Sequence, residues 1–416
     1  MLSKLITAGE ETIERRSAVW NMIASIFGSA QSAVFLLIVT NICDEVYAGI
    51  FSLATTLGYQ IITIGNYGMR NYQATDVKRK YSFQEYFVSR CITSVCMLLF
   101  VVVYLCVKEY ETEKALIIFF FCLFKGIDVI EDIFHGEFQR YNRLDIGAIS
   151  MTIRYAISFF AFLVILMWKK NLLFACIGET VISMIVFVWL TYEIVKPNKV
   201  LSVKGTSMKK VFVLLMDCFP LFLGGFLYLY ICNAPKYAID NCLPQEKQAY
   251  FAILFMPVFV INLLSGFIYR PLLTRMAIYW TDSQQKKFMS IIIRQFGFIL
   301  FLTLVGMMGA YLIGTNFLSI IYNISVIEYK WCLVILIAGG GLAAIIGFLV
   351  NVLTIMRLQQ VMLYGYISVA LVGVCISDRM VARYELMGAS VLYIVLMLLL
   401  SIFLIINFSR RTYGKR

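Results

Sequence analysis

KGIDVIEDIFHGEFQRYNRLDIGAISMTIR, residues 125–154, lies between two strongly apolar runs and is crowded with charge. Lys125, Asp128, Asp132, His135 and Gln139 recur at intervals of 3, 4, 3 and 4 residues. At about 100° per residue they share one helical stripe about 80° wide. Glu131 lies just beside that stripe, and Arg154 follows one turn after Ser150 inside the next apolar run. An ionised side chain in an apolar membrane helix costs about 2.5–3.5 kcal/mol or more unless it meets a partner or a cavity. This hairpin is therefore expected to face an interior, with the rest of the chain wrapped around it.

The composition says what kind of interior that is. Hydrophobic residues make up 61% of the 416 positions and charged residues only 14%, with a mean hydropathy of +0.84. Soluble domains carry about 45–50% apolar residues, so the chain reads as all-α and polytopic in a membrane. The apolar runs are long and do not alternate, which excludes barrel strands. A net charge of +12 invites a nucleic-acid reading. The basic residues sit instead in short loops between spans, where they set orientation and meet anionic headgroups. The eleven cysteines contain no CxxC pair and read as small hydrophobes, although Cys232 and Cys242 flank one loop and are the pair a disulfide would use. Neither a phosphate-binding loop nor a cluster of metal-ligand spacing occurs, so no ATPase activity, cofactor or metal is expected.

Twelve spans are expected. They fall near 18–42, 46–68, 87–107, 115–134, 147–168, 172–195, 211–232, 248–269, 290–313, 331–355, 361–376 and 385–408, each close to the ~20 residues a bilayer core requires. With both termini in the cytoplasm, about 23 basic residues fall in inner segments and about 9 in outer ones. Residues 1–17 are read as a short cytoplasmic segment able to lie on the membrane surface. The polar loop 196–210 separates six spans from six, which suggests two lobes, residues 1–200 and 201–416, around a central cavity. All six prolines lie between Pro197 and Pro271. Pro220 and Pro257, with Gly224 and Gly225, are candidate hinges; ordinary close packing is the alternative, and Gly339–Gly341 invites the same two readings.

At 1.5 Å per residue Asp128 lies about 9 Å and Arg154 about 12 Å from the inner boundary, on adjacent antiparallel helices. Asp128, Glu131 and Asp132 are thus placed to form a charge network with Arg154. Two readings follow: the charges lock the hairpin together, or Lys125 and Arg154 offer positive charge to an anionic headgroup while the carboxylates hold them or exchange a proton. His135, the sole histidine, is expected in a solvated or capping position at the inner boundary. Arg70 ends the second span, where snorkelling is the simple reading. Asp217 joins the candidate coupling carboxylates, Lys236 and Asp240 form an i,i+4 pair, and Glu179 has no obvious partner.

Gly136, Gln139, Arg143, Asp145, Ser150 and Arg154, with YGMRNYQ at 67–73, PKYAID at 235–240 and YRPLLTRMA at 269–277, resemble the polysaccharide-exporting flippases of bacteria. Multidrug extruders and lipid II flippases belong to the same superfamily. The resemblance implies two lobes facing each other across a cationic cavity in the bacterial cytoplasmic membrane. It implies transport without enzymatic chemistry, in which a sugar chain on polyprenyl pyrophosphate passes from the inner to the outer leaflet by alternating access. Glycosyltransferases or a polymerase of the same pathway would be partners, together with membrane lipid. Lipid II flippases use several arginines in the early spans. Those spans lack a central arginine here, so the equivalent charge is expected from Lys125 and Arg154, with Arg70 and Gln139 as further substrate-binding candidates. A cation-coupled multidrug extruder and a membrane glycosyl polymerase are the alternatives; the short outer loops count against the polymerase.

Overall fold

The computed structural model describes residues 10–76, 80–141, 143–198, 206–269 and 272–413. Residues 1–9, Lys204 and Arg270 therefore lie outside the described residues. Among the described residues the structure is helical throughout, without strands. Nine helices among the described residues are long and apolar enough to cross a membrane. Helix α1 (Glu10–Ile42), whose apolar stretch is Gln31–Ile42, and the charged α5 (Thr112–Arg140) add two more crossings. The last helical segment, α14 (Gln359–Tyr413), is two helices joined at Glu385, whose φ of 46° and ψ of −132° leave helical space. The polytopic all-α reading holds, at about twelve crossings.

Between α1 and α5 lie α2 (Glu45–Asn66), the short α3 (Met69–Thr75) and α4 (Phe83–Lys108). Local chemistry sets their ends. Asp44 caps α2 by accepting the Tyr47 N–H at 2.9 Å. Tyr67 and Gly68 are both left-handed, with φ of 49° and 69°, which breaks the chain before α3. Ser82 and Glu85 form a reciprocal capping box that starts α4. Then come α6 (Leu144–Lys169), α7 (Leu172–Asn198) and α8 (Met208–Cys242). Helix α5 continues past the expected span to Arg140, and α6 begins at Leu144, before the expected Gly147.

The chain divides into two compact units, Met1–Phe226 and Leu227–Arg416. In the first unit α5 is the hub: it packs against α2, α3, α4, α6 and α7, while α1 packs on α2 and α6. Its polarity is inverted relative to a soluble domain. Val95, Leu99, Val103 and Val107 are exposed along one stripe of α4, whereas the charges of α5 are turned inward. Lipid solvates that outer stripe as well as a protein core would, so contacts between helices must come from close packing and polar bonds.

The second unit contains α9 (Gln245–Tyr269), the short α10 (Leu273–Thr281), α11 (Gln285–Gly309) running through a π turn at Ala310–Gly314 into α12 (Thr315–Tyr322), α13 (Lys330–Ile355) and α14. Its hub is α13, packed against α9, α11 and α14. Each glycine of Gly339–Gly341 admits a different neighbour. A Cβ on Gly339 would meet the Tyr393 ring at 2.6 Å, one on Gly340 would meet Val258 at 2.9 Å, and one on Gly341 would collide with Thr303. Of the two readings, close packing accounts for these glycines. Pro257 lies inside the continuous α9, and α8 likewise continues through Pro220, Gly224 and Gly225. An outer loop was expected at 377–384; the helix persists there because the stretch holds neither Gly nor Pro, and the chain turns only at Glu385. Among the described residues the eleven cysteines form no disulfide, Cys232 and Cys242 included.

Candidate functional site

The charged stripe of α5 is resolved into three linked clusters. At the first, the Lys125 ammonium lies 3.1 Å from Asp128, within about a helical turn of the Tyr59 and Phe124 rings, each at 4.9 Å. Arg154 comes in from α6. Its Nε donates to Glu131 at 2.8 Å, its Nη2 reaches both Glu131 and Asp128, and its Nη1 donates to Ser183 of α7 at 2.8 Å. Ser150 donates to the other Glu131 oxygen at 3.1 Å. The Arg154 side chain is 0% and that of Lys125 4% exposed. Two cations thus meet two carboxylates, and their formal charges cancel in a largely buried cluster.

An ion in a low-dielectric interior is tolerable only beside an opposite charge with its remaining hydrogen bonds satisfied, and the spacing that puts Asp128 one turn after Lys125 supplies that partner locally. The expected network of Arg154 with Asp128 and Glu131 is formed, and it locks α5 to α6. The expectation for His135 is corrected. It is buried, with Nε2 3.8 Å from Glu131, and its ring packs so closely on Gly147 that a Cβ there would lie 2.6 Å away. The loop expected around it is replaced by the extended α5–α6 hairpin.

The second cluster centres on Asp132, which accepts from Arg70 of α3 at 3.0 Å and from Arg90 of α4 at 2.9 Å. Arg90 also donates to the Gly65 carbonyl at 2.9 Å and to Asn66 at 3.3 Å. One carboxylate serves two guanidiniums. Arg90 is wholly buried, but the side chain of Arg70 is 36% exposed, so Arg70 pairs with Asp132 while keeping an open face. Arg90 escaped the sequence reading, which saw no central arginine in the early spans. A signal existed: once the basic residues of loops are set aside, Arg90, Lys125, Arg154 and Arg294 remain inside spans. The third cluster is Glu137, bonded by Gln73 and Arg140, each at 3.0 Å. Gln139 is half-buried at the same end of α5 and stands outside the bonds that make these clusters.

Asp217 stands apart from the α5 carboxylates. It accepts from Lys80 at 3.1 Å, Tyr72 at 2.9 Å and Tyr81 at 3.1 Å. Hydrogen bonds with Tyr81 and then Asp217 hold the Lys80 ammonium above the usual lysine range. Glu179 does have a partner, Gln31 of α1, whose amide nitrogen donates to it at 2.6 Å. In the second unit Lys236 lies over the Phe255 ring at 5.0 Å, and Asp240 accepts from Gln245 at 3.5 Å. Among the described residues no three His, Cys, Asp or Glu side chains converge as metal ligands would.

No family model matches the chain, and no curated protein does. Solved structures do. The lipid II flippase MurJ, in an inward closed conformation, aligns with a TM-score of 0.70 at 14% identity over 94% of this chain and 87% of that one. The Vibrio cholerae MATE transporter VcmN in its bent form aligns at 0.60 and 10% identity over 97% and 98%. A MOP superfamily transporter from Pyrococcus furiosus, described by the reverse polarity of its binding pocket, gives 0.52 and 12% identity over 95% and 91%. Identities this low establish a shared fold.

Proposed function

We propose that the chain is a transporter of the MOP superfamily, not an enzyme, and that it moves a polyprenyl-pyrophosphate-linked oligosaccharide from the inner to the outer leaflet of a bacterial cytoplasmic membrane by alternating access. The lipid tail stays in the bilayer while the pyrophosphate and sugars cross. Both termini are cytoplasmic on this reading, residues 1–200 and 201–416 act as its two lobes, and Pro220, Gly224, Gly225 and Pro257 supply bending in α8 and α9.

The observation that carries the proposal is the pairing of Arg70 and Arg90 with the single carboxylate of Asp132. That cluster holds one positive charge in excess, and Arg70 presents it with an open face. A planar guanidinium makes two parallel bonds to phosphate oxygens, and a fixed cation replaces the water that a buried pyrophosphate gives up. Gln139, two turns further along α5, would add an amide. Lys125 and Arg154, neutralised by Asp128 and Glu131, serve by holding the hairpin that positions Asp132.

The likeness to MATE transporters supports a second reading, a cation-coupled multidrug extruder. Such a pump needs an excess of carboxylate where its cargo binds, and the Arg70 cluster has the opposite sign. The test is binding to the full-length protein in nanodiscs. Arg70→Ala is expected to weaken binding of polyprenyl pyrophosphate at least tenfold, Arg70→Lys less, and neither is expected to alter binding of uncharged polyprenol. If Arg70→Ala leaves pyrophosphate binding intact, or if only cationic dyes bind, the lipid-flippase reading fails.

A further inference from the structure

One buried acid takes no part in the clusters of α5. Glu179, on α7, is 1% exposed, and Gln31, facing it from α1, is 6% exposed. The bond that joins them runs from the Gln31 amide nitrogen to Glu179 Oε1 at 2.6 Å. The remaining oxygen on each side, Glu179 Oε2 and Gln31 Oε1, has no hydrogen-bond partner among the described residues. The two orphans belong to the two side chains that this bond joins, and both are acceptors.

Among the described residues the cations that act on Glu179 are already committed. The charges that act on it are Lys125 and Asp128 from α5 and Arg154 from α6. Lys125 is held by Asp128, and Arg154 by Asp128, Glu131 and Ser183. On its own helix the neighbours are Cys176, whose carbonyl accepts from Thr180, and Ser183, one turn on. An ionised carboxylate with one donor in such a place is strongly unfavourable. A metal ion would want a cage of several oxygens, and this contact leaves only two unsatisfied. A single proton resolves both orphans: placed on Glu179 Oε2, it turns that oxygen into a donor to Gln31 Oε1 and closes a two-bond carboxyl–amide ring.

We propose that Glu179 and Gln31 form a proton-binding site inside the first unit, protonated in the conformation seen here. Release of the proton leaves a bare carboxylate that draws Lys125 and Arg154 away from Asp128 and Glu131, so occupancy of the site is read by the hairpin lock. The site stands on its own geometry. Its role as the port for a coupling ion rests on the transporter reading given above.

The experiment is infrared difference spectroscopy of the full-length protein in lipid nanodiscs, which needs no cargo and so separates failure of this site from failure of the flippase reading. At pH 7 the wild type should show a protonated-carboxyl band that Glu179→Gln removes, while the thermal midpoint stays within measurement error, because the variant is a neutral isostere of a neutral group. Replacing sodium by choline should leave the band unchanged. Gln31→Leu keeps the acid but removes its partner, and should move the band to higher frequency. Absence of the band in wild type, its persistence in Glu179→Gln, an unshifted band in Gln31→Leu, or its loss on adding sodium would each overturn the assignment.

Discussion

The assignment of Arg154 to a hairpin lock can be tested by removing its charge with and without a compensating change. Arg154→Met deletes the bonds to Glu131, Asp128 and Ser183. Asp128 then keeps Lys125, while among the described residues Glu131 keeps Ser150 and the more distant His135. Breaking one side of a buried ion pair costs about 3–5 kcal/mol. A unit of this size loses about 2–4 °C per kcal/mol, so the midpoint should fall by roughly 6–20 °C. Adding Glu131→Gln restores neutrality, and the double variant should recover most of that loss, with a coupling energy of about 2 kcal/mol or more in the thermodynamic cycle.

A thiol-reactive dye gives the readout, because Cys122 and Cys176 of the first unit are buried and react only on unfolding. The same double variant separates lock from ligand. If Arg154 only holds the hairpin, the restored protein should also regain whatever transport the wild type shows in the assay of the proposed lipid-linked cargo. A double variant that is stable but transports nothing would show that the guanidinium touches cargo. A single variant as stable as wild type would refute the electrostatic argument itself.

Gly147→Ala should cost about 1–3 kcal/mol, since its methyl would be forced into the His135 ring; unchanged thermal stability would mean that the ring can move aside. Ser82→Ala removes the capping box that begins α4 and should lower stability by about 1 kcal/mol, measurable in the same thiol assay, whereas Ser82→Asp should retain most of it. A membrane-impermeant thiol reagent should reach Glu111→Cys from outside the cell only and Gln285→Cys from inside only; the reverse pattern would overturn the orientation drawn from loop charges.

The sequence made the α5 network legible because its spacing is local: Lys125, Asp128 and Asp132 share a face whatever lies opposite, and Arg154 returns on the next helix at similar depth. Arg90 and Gln31 were not legible in that way. Each sits alone in an apolar run, and the residue it meets is fixed by how α4 lies on α5 or α1 on α7, which no periodicity reveals. The mistake over His135 has a different origin. Falling hydropathy predicts the end of a span there, but the inner end of α5 is covered by α6, so a helix too polar for lipid continues inside protein. The break at Glu385 was placed several residues early for the converse reason: charged residues marked a loop, yet they are good helix formers and the helix runs through them.

The two hubs show what replaces the hydrophobic effect inside a membrane. Lipid solvates apolar side chains as well as a protein core does, so a hub helix must hold its neighbours by polar bonds or by closeness. Helix α5 uses charge, with Asp128, Glu131, Asp132 and Glu137 drawing basic side chains from α3, α4, α6 and from α5 itself. Helix α13 uses closeness, with Gly339, Gly340 and Gly341 bringing α14, α9 and α11 within side-chain contact. The difference matters for function. Packing on glycine is indifferent to pH and to anions, whereas an ion-pair lock can be loosened by a proton taken up or lost, or by a phosphate competing for an arginine. A switch driven by either is therefore expected in the first unit, where Arg70 and Glu179 are, and not at the glycine contacts of α13.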